Sequence, residues 1–292
     1  MAAELRVSAL FIHPLKSAAG MRVAEATIDA LGFAGDRRWM AVDAQGAFLS
    51  QRRIPMMAVI RATLLPNAHL YLSAAGIASI QVRPAESAEN AANQENAESR
   101  ARAEHRTVAI WRDEVSAVDS GDEAAAWLTT VLGCEARLVY CPPSRARIVD
   151  RTFASGSELV GFADGFPLLV LGESSLQDIN ARLRGRGEGE VGLERFRPNI
   201  VIEGAAPFEE DQWRQIVIGD GAGAITIDIV KPCARCSIIS VDPRAGVQGL
   251  EPMRTLATYR RRDDKVYVGQ NALPRGEGRI ITGASVRAVA GS

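Results

Sequence analysis

Apolar and polar positions alternate over short stretches along most of the chain. Val7–His13, Arg22–Ala30, Arg38–Val42, Val59–Leu65, Val108–Trp111 with Val115–Val118, and Arg137–Tyr140 are apolar or alternating runs. Pro167–Leu171, Asn199–Glu203, Ile216–Ile218, Ile225–Val230, Ser237–Val241 and Arg279–Val289 continue the series. A period of two marks half-buried strands, and the Gly, Pro, Asp and Asn residues at most boundaries mark turns. Many short strands without regularly interleaved helices predict barrel or sandwich structure, not a doubly wound sheet. The expected fold class is α+β, predominantly β.

Two stretches carry helical spacing instead. Ser120-Gly-Asp-Glu123 has the form of a capping box, followed by an apolar stripe of Trp127, Leu128, Val131 and Leu132 and by Gly133 at the left-handed stop. A second helix is expected from about Ser174 to Arg184, with Leu176, Ile179 and Leu183 on one face and Gly185 ending it. Residues 85–104 are Ala, Glu, Asn and Ser with no large apolar group, so they cannot bury enough surface to offset ordering entropy and are expected as a mobile loop. A hairpin follows them directly. The domain boundary is therefore placed at the Pro-rich stretch after Tyr140, giving an N-terminal unit 1–140 and a second unit 141–292.

Composition narrows the class without naming a chemistry. With 34 basic and 35 acidic residues the formal net charge is −1, which gives no reason to expect nucleic acid or an anionic membrane as a partner. No run approaches the roughly 20 apolar residues that span a bilayer. The N-terminus reads as a first strand and not as a signal peptide. Four cysteines are too few for a disulfide scaffold, so a reducing, cytoplasmic setting is expected. The only histidines, His13, His69 and His105, lie in the first third of the chain, which makes histidine-based catalysis a poor expectation.

The chemistry-bearing stretch is Val230-Lys-Pro-Cys-Ala-Arg-Cys-Ser237. Cys233 and Cys236 lie three apart beside Lys231 and Arg235, and nearby cations favour the thiolate, the form that attacks or ligates. Four roles are open. The cysteines could be buried structural thiols. They could be half of a zinc site, although Cys134 and Cys141 lack finger-like spacing. They could form a dithiol, although such a motif usually opens a helix and here SIISVD reads as a strand. Finally, one thiolate could ligate a soft metal held mainly by a cofactor.

Around this stretch an ordered series of motifs resembles the MOSC family, named for the C-terminal domain of molybdenum cofactor sulfurases. Lys231-Pro-Cys-Ala-Arg-Cys236 is followed by Val241-Asp-Pro243 and Gly246. Upstream come His13-Pro-Leu-Lys16-Ser17, Gly35-Asp-Arg-Arg-Trp39, and Leu49-Ser-Gln-Arg52 with Pro55, where Gln51 departs from the family's usual small residue. Phe162-Ala-Asp-Gly165, Glu173-Ser-Ser-Leu176, Arg195-Phe-Arg-Pro-Asn199, Gly269-Gln-Asn271 and a terminal Gly-x-Ile-x-x-Gly-x-x-Val strand keep the family's order. The resemblance covers nearly the whole chain and is similar to the branch holding mitochondrial amidoxime-reducing components and bacterial YcbX-like proteins, which pair a MOSC N-terminal β-barrel domain with a MOSC domain.

The resemblance implies a molybdenum–molybdopterin cofactor with Cys236 as the protein ligand to the metal. It implies an oxidoreductase acting on N-hydroxylated small molecules. It further implies Arg235 and Asp242 beside the reacting centre, and Lys16, Ser17, Arg37, Arg52, Ser174, Ser175, Arg197, Asn199 and Asn271 around the cofactor. Each has a plainer alternative. Lys16 could be a solvated loop residue, Arg37 could pair with Asp36, and Arg197 could hold Glu194. Asn199 could shape a turn, Asn271 could end a strand, and Ser174 or Ser175 could cap a helix. Asp242 could hold an Asp-Pro turn, Arg235 could only depress a thiol pKa, and Cys233 could be a packed structural thiol. YcbX-like proteins often append a ferredoxin domain rich in cysteine ligands. Cys236 is the last cysteine here, so electrons are expected from a separate ferredoxin, flavodoxin or cytochrome b5-like reductase system. The alternative function is a cofactor carrier, or a persulfide-bearing sulfur carrier, without turnover of an external substrate.

Overall fold

A closed seven-stranded barrel forms the centre of the protein in the computed structural model, which describes residues 4–66, 68–84 and 105–291. Around the ring run Leu168–Gly172, Ile200–Glu203, Leu5–Ile12, Ser285–Ala290, Trp213–Ile218, Ile225–Arg235 and Lys265–Arg275, which pairs back to Leu168–Gly172. Six of the junctions are antiparallel. The parallel one, Leu168–Gly172 with Ile200–Glu203, requires a crossover, and the helix α2 (Glu173–Gly185) supplies it. Val7, Leu10, Val170, Ile200, Ile202, Trp213, Ile216 and Ile227 fill the interior, all buried. Leu168–Gly172 is buried at every position, as a strand must be with the barrel core on one side and Ile179 and Leu183 of α2 on the other.

Most of the rest of the N-terminal half forms two smaller antiparallel sheets, while Glu25–Asp29 and Gly32–Phe33 form a third with Gly278–Ile281. Of the first two, one has Trp39–Val42, Arg137–Tyr140, Asp113–Asp119 and His105–Ile110 in that order; the other has Arg61–Leu64, Leu70–Ala74 and Ile77–Val82. Helix α1 (Asp122–Leu132) packs Trp127 and Leu128 between them, against Leu70, Leu72 and Leu138. Among the described residues the only other α-helix is the short α3 (Met253–Leu256), so the predominantly β, α+β expectation holds. Strand Leu5–Ile12 joins the barrel although it precedes the boundary placed after Tyr140. That boundary remains a proposal about the order of units along the chain.

Several local expectations are corrected. Ser120 does not cap α1: its hydroxyl is buried without a partner, Gly121 is the N-cap residue, and the Asp119 carboxylate accepts the Gly121 N–H at 2.8 Å. Gly133 does stop that helix in the left-handed conformation, at φ 67°. Gly185 is the last residue of α2 and does not take the left-handed stop; Arg186 is the C-cap residue and Gly187 takes the left-handed position. Ser237–Ser240 is a 3-10 turn and not a strand, because the chain leaves the barrel at Arg235 and turns back to bury Ile239 against Phe196 and Leu256. Leu70–Ala74, Ile77–Val82 and the eleven-residue Lys265–Arg275 are strands the pattern did not reveal. Residues 85–104, expected as a mobile loop, lie outside the described residues.

Candidate functional site

The strand carrying the cysteines is bulged where its chemistry begins. Its pairing with Lys265–Arg275 shifts register between Ile229 and Lys231 and again between Pro232 and Ala234. Pro232, which has no N–H to give a ladder, sits beside the second shift. Bulges re-aim side chains at barrel rims. Here they bring Cys233, Ala234, Arg235 and Cys236 onto one cleft, with Cys236 directly after the last paired residue and at the start of the 3-10 turn.

That cleft holds a cavity of about 130 Å³ and opens to solvent at its mouth. Its walls come from five separated parts of the chain. Lys16, Ser17, Arg37 and Arg52 enter from the N-terminal half, Asp164 and Phe166 from the segment before strand Leu168–Gly172, Arg197 and Asn199 from the loop after α2, Arg235 and Cys236 from the bulged strand, and Asn271 from its neighbour. All but three of the candidate residues thus meet in one place. Ser174, Ser175 and Asp242 do not. The Ser174 hydroxyl donates to the Ala205 carbonyl at 2.7 Å, and Ser175 is fully buried, donating to Glu210 at 2.8 Å and accepting from the Phe208 N–H at 2.7 Å. Asp242 accepts from the N–H groups of Arg244 and Ala245 and from Arg195, so it shapes the turn that its Asp-Pro sequence suggested.

Backbone strain is concentrated here. Ser17, Arg37 and Arg197 all hold left-handed φ values, 67°, 47° and 56°, which non-glycine residues adopt rarely and at a cost of order 1–3 kcal/mol each. The surroundings over-determine them. The Arg37 N–H donates to the His13 carbonyl at 2.8 Å, and Phe162 donates to the Arg37 carbonyl at 3.0 Å. Gln51, the departure from the family pattern, donates its amide to the Ser17 carbonyl at 2.6 Å. Asn199 ties three segments together: Oδ1 accepts from Leu169 N–H and Arg37 Nη1, and Nδ2 donates to the Phe11 carbonyl.

Positive charge exceeds negative charge in the cleft. Lys16 is buried, donates to the Phe162 carbonyl at 2.9 Å and is paired with Asp164. Burial acts to lower the Lys16 pKa and outweighs the opposing pull of Asp164. Burial likewise acts to raise the Asp164 carboxyl, but Lys16, Arg52 and Arg37 together hold it well below the usual carboxylate range. Arg37 pairs with buried Asp36 at 2.5 Å. Arg197 donates to the Ala18 carbonyl rather than to Glu194, and burial together with the charge of Arg37 pushes its pKa down to about 9. Arg235 donates to Cys233 Sγ at 3.1 Å and to the Phe196 carbonyl at 2.6 Å, leaving its buried Nε unpartnered. Among the described residues, Arg52, Arg197 and Arg235 are hydrogen-bonded to no carboxylate, although Asp164 lies near enough to act on Arg52 and Arg197 through its charge. Half-buried cations in that state favour an anionic ligand.

His13 underlies this floor. Its ring nitrogen Nε2 lies 3.1 Å from the Pro198 carbonyl, Nδ1 is buried without a partner, and Gly20 packs so closely on the ring that no Cβ would fit. Burial first, then Arg197 and Arg37, hold its pKa well below the ordinary value against the opposing Pro198 bond. The folded protein therefore excludes a proton that the unfolded chain binds below about pH 6.5. Stability from neutral His13 is present above that pH and is lost as the pH falls below it, by up to about 1.4 kcal/mol per unit. Urea unfolding at pH 7 and pH 5 is expected to show this slope in wild type and a shallower one in His13→Gln; equal slopes would refute the assignment.

Sequence reasoning missed Asp164 and Phe166 as site residues. Their motif was visible, but the partner of Asp164, Lys16, is 148 residues away, so no local signal announced the pair. Among the described residues no three His, Cys, Asp or Glu side chains gather as a metal site, and Cys134 and Cys141 are an exposed and a buried thiol elsewhere. Burial pushes the Cys141 thiol up to about 11, which makes it inert. No described helix is long and apolar enough to cross a membrane.

Comparison with known proteins fits this geometry. The MOSC N-terminal beta barrel domain matches residues 4–135, and the MOSC domain matches residues 158–287. Mitochondrial amidoxime-reducing component 1 of Mus musculus is 31% identical over 278 residues, covering 92% of this chain and 75% of the relative. Mitochondrial amidoxime reducing component 2 of Rattus norvegicus is 32% identical over 89% of this chain and 74% of its own length. Molybdenum cofactor sulfurase of Oryza sativa subsp. japonica is 28% identical over 96% of this chain, which spans only 34% of that protein. With both domains matched in order and its cysteine-bearing strand at the cleft, this chain belongs to the MOSC family.

Proposed function

We propose that the protein is a molybdenum-cofactor-dependent oxidoreductase that reduces N-hydroxylated small molecules. The observation that carries the proposal is the meeting of Cys236 with three arginines hydrogen-bonded to no carboxylate in a cleft built on strained backbone. The residues fit the cofactor: the buried unpartnered Nε atoms of Arg52 and Arg235 are donors awaiting an acceptor, and guanidinium forks suit a phosphate. The names of the relatives, amidoxime-reducing components and molybdenum cofactor sulfurases, support the same chemistry.

When bound, a molybdenum–pterin group supplies two-electron redox chemistry with an exchangeable oxygen position. In this reading Cys236 gives the protein thiolate. Lys16, Arg37, Arg52 and Arg197 hold the phosphate and counter its charge. Ser17, Asn199 and Asn271 offer hydrogen bonds to the pterin edges, and Arg235 fixes the approach to Cys236. Removing oxygen from an N–OH group takes two electrons and two protons and releases water. The electrons come from a separate donor protein. Asp164, held ionised by Lys16, Arg52 and Arg37, supplies a fixed negative charge in the cleft while this happens.

The test is turnover. Cofactor-loaded protein with a chemically reduced mediator is expected to convert an amidoxime to its amidine catalytically. Loaded protein that performs no turnover with amidoximes, hydroxylamines or hydroxylated bases would refute the reductase and leave the carrier function in its place.

A further inference from the structure

Arg52 differs from its neighbours in the cleft. Arg37 spends donors on Asp36, Asn199 and the Arg197 carbonyl, Arg197 on Ala18, and Arg235 on Cys233 and Phe196. Arg52 makes no hydrogen bond to a described residue, and its Nε is buried without a partner. What holds it is aromatic. The guanidinium carbon lies 4.3 Å from the Trp111 ring centroid and 6.0 Å from that of Phe48, and the two rings pack with centroids 5.1 Å apart. Lys16 Nζ lies 5.4 Å from the same Phe48 ring.

Trp111 occupies the tip of the hairpin joining His105–Ile110 to Asp113–Asp119, at φ 59°. Two-residue hairpin turns with positive φ favour Asn, Asp or Gly, and a bulky aromatic there is unfavourable for the turn itself. The side chain is 48% exposed, so core burial does not explain it either. It reaches two cleft residues instead: its ring underlies Arg52, and its indole N–H donates to Asp164 at 3.3 Å. A cation over an aromatic face is attracted without giving up an N–H. A carboxylate in the same place would hold the guanidinium but also neutralise it and occupy its fork.

We infer that Trp111 is a positioning residue that presents Arg52, with its donors unspent, to a phosphate group in the cleft. This rests on the anionic-cofactor reading of the site. The ring sets the plane of the guanidinium, and the indole N–H fastens the hairpin tip to Asp164 and so to Lys16 across the cleft mouth.

The test uses the full chain made in a host unable to synthesise the pterin, titrated calorimetrically with inorganic phosphate. Trp111→Ala and Trp111→Leu are expected to weaken phosphate binding by about 5-fold or more, while Trp111→Phe, which keeps a ring face, stays within about 2-fold of wild type. Thermal midpoints of all three are expected to stay close to wild type, because the residue is half exposed. Phosphate binding unchanged in Trp111→Ala and Trp111→Leu would overturn the inference. So would equal weakening in Trp111→Phe, since the bond to Asp164 would then be what matters. Wild-type protein that binds no phosphate would overturn the anionic cleft itself, and this inference with it.

Discussion

Cys236→Ala is expected to lower reduction of an N-hydroxylated substrate by more than about 100-fold, since changes even in the outer shell of a metal site cost 10–100-fold. It is expected to leave the fold intact. The Cys236 side chain is only partly buried, belongs to none of the apolar clusters and lines the cleft directly. Its backbone makes the start of the 3-10 turn, accepting from the Ile239 N–H at 3.3 Å, and alanine keeps that bond. Loss of activity with a thermal midpoint within about 2 °C of wild type would place the effect in the chemistry, because a change of 1 kcal/mol moves a chain of this size by roughly 2–4 °C. Cys233→Ala separates the two thiols. Cys233 accepts from Arg235 at 3.1 Å and makes only a long donor contact, 4.0 Å, to the Ala234 carbonyl, so its replacement is expected to cost much less activity. Equal losses would mean that the pair acts as a dithiol.

Asp36→Ala is expected to carry the largest stability cost of any single change in the site. The Asp36 carboxylate is 4% exposed, accepts the His13 N–H at 2.7 Å and pairs with Arg37 at 2.5 Å. Removing it leaves a backbone donor without a partner and a nearly buried guanidinium unpaired beside Arg197, which already repels it. Breaking a buried pair in this way costs about 3–5 kcal/mol. Asp36→Asn keeps an acceptor for His13 but not the charge, so its cost is expected to fall between that of Asp36→Ala and wild type. Urea unfolding checks both. A loss below about 1 kcal/mol for Asp36→Ala would show that Arg37 finds another counter-charge, a weak-pair result typical of exposed sites.

What the sequence could and could not announce follows from where each signal lives. Strand Ile225–Val230 and helix α2 were legible because their apolar period is local. Lys265–Arg275 was not. Gly269, held at φ 73° where a Cβ would meet the Val170 carbonyl, and Pro274 break its alternation, and only its partners on both sides make it a strand. Ser237–Ser240 has the apolar pair of a strand, yet the barrel ends before it, and no periodicity in four residues shows that. The cleft was legible as a set of motif residues, because Lys16, Arg37, Arg197 and Cys236 have the types a soft metal and a phosphate require. The sequence could not show which of them spend their charge on each other. Arg37 and Asp36 are neighbours in the chain, whereas Arg52, in the turn before the 3-10 helix Pro55–Val59, and Trp111, at a hairpin tip, meet only through tertiary packing. Ser174 and Ser175 show the opposite case: they sit in the motif, but their hydroxyls turn to Ala205 and Glu210.

Binding of a molybdenum–pterin group in this cleft through Cys236 is tested by molybdenum and pterin content per chain in wild type and Cys236→Ala, both purified from a host that makes the cofactor. Close to one molybdenum and one pterin are expected per wild-type chain, with molybdenum sharply reduced in the variant. Wild-type protein carrying neither molybdenum nor pterin, or a variant that keeps the full metal content, would contradict it.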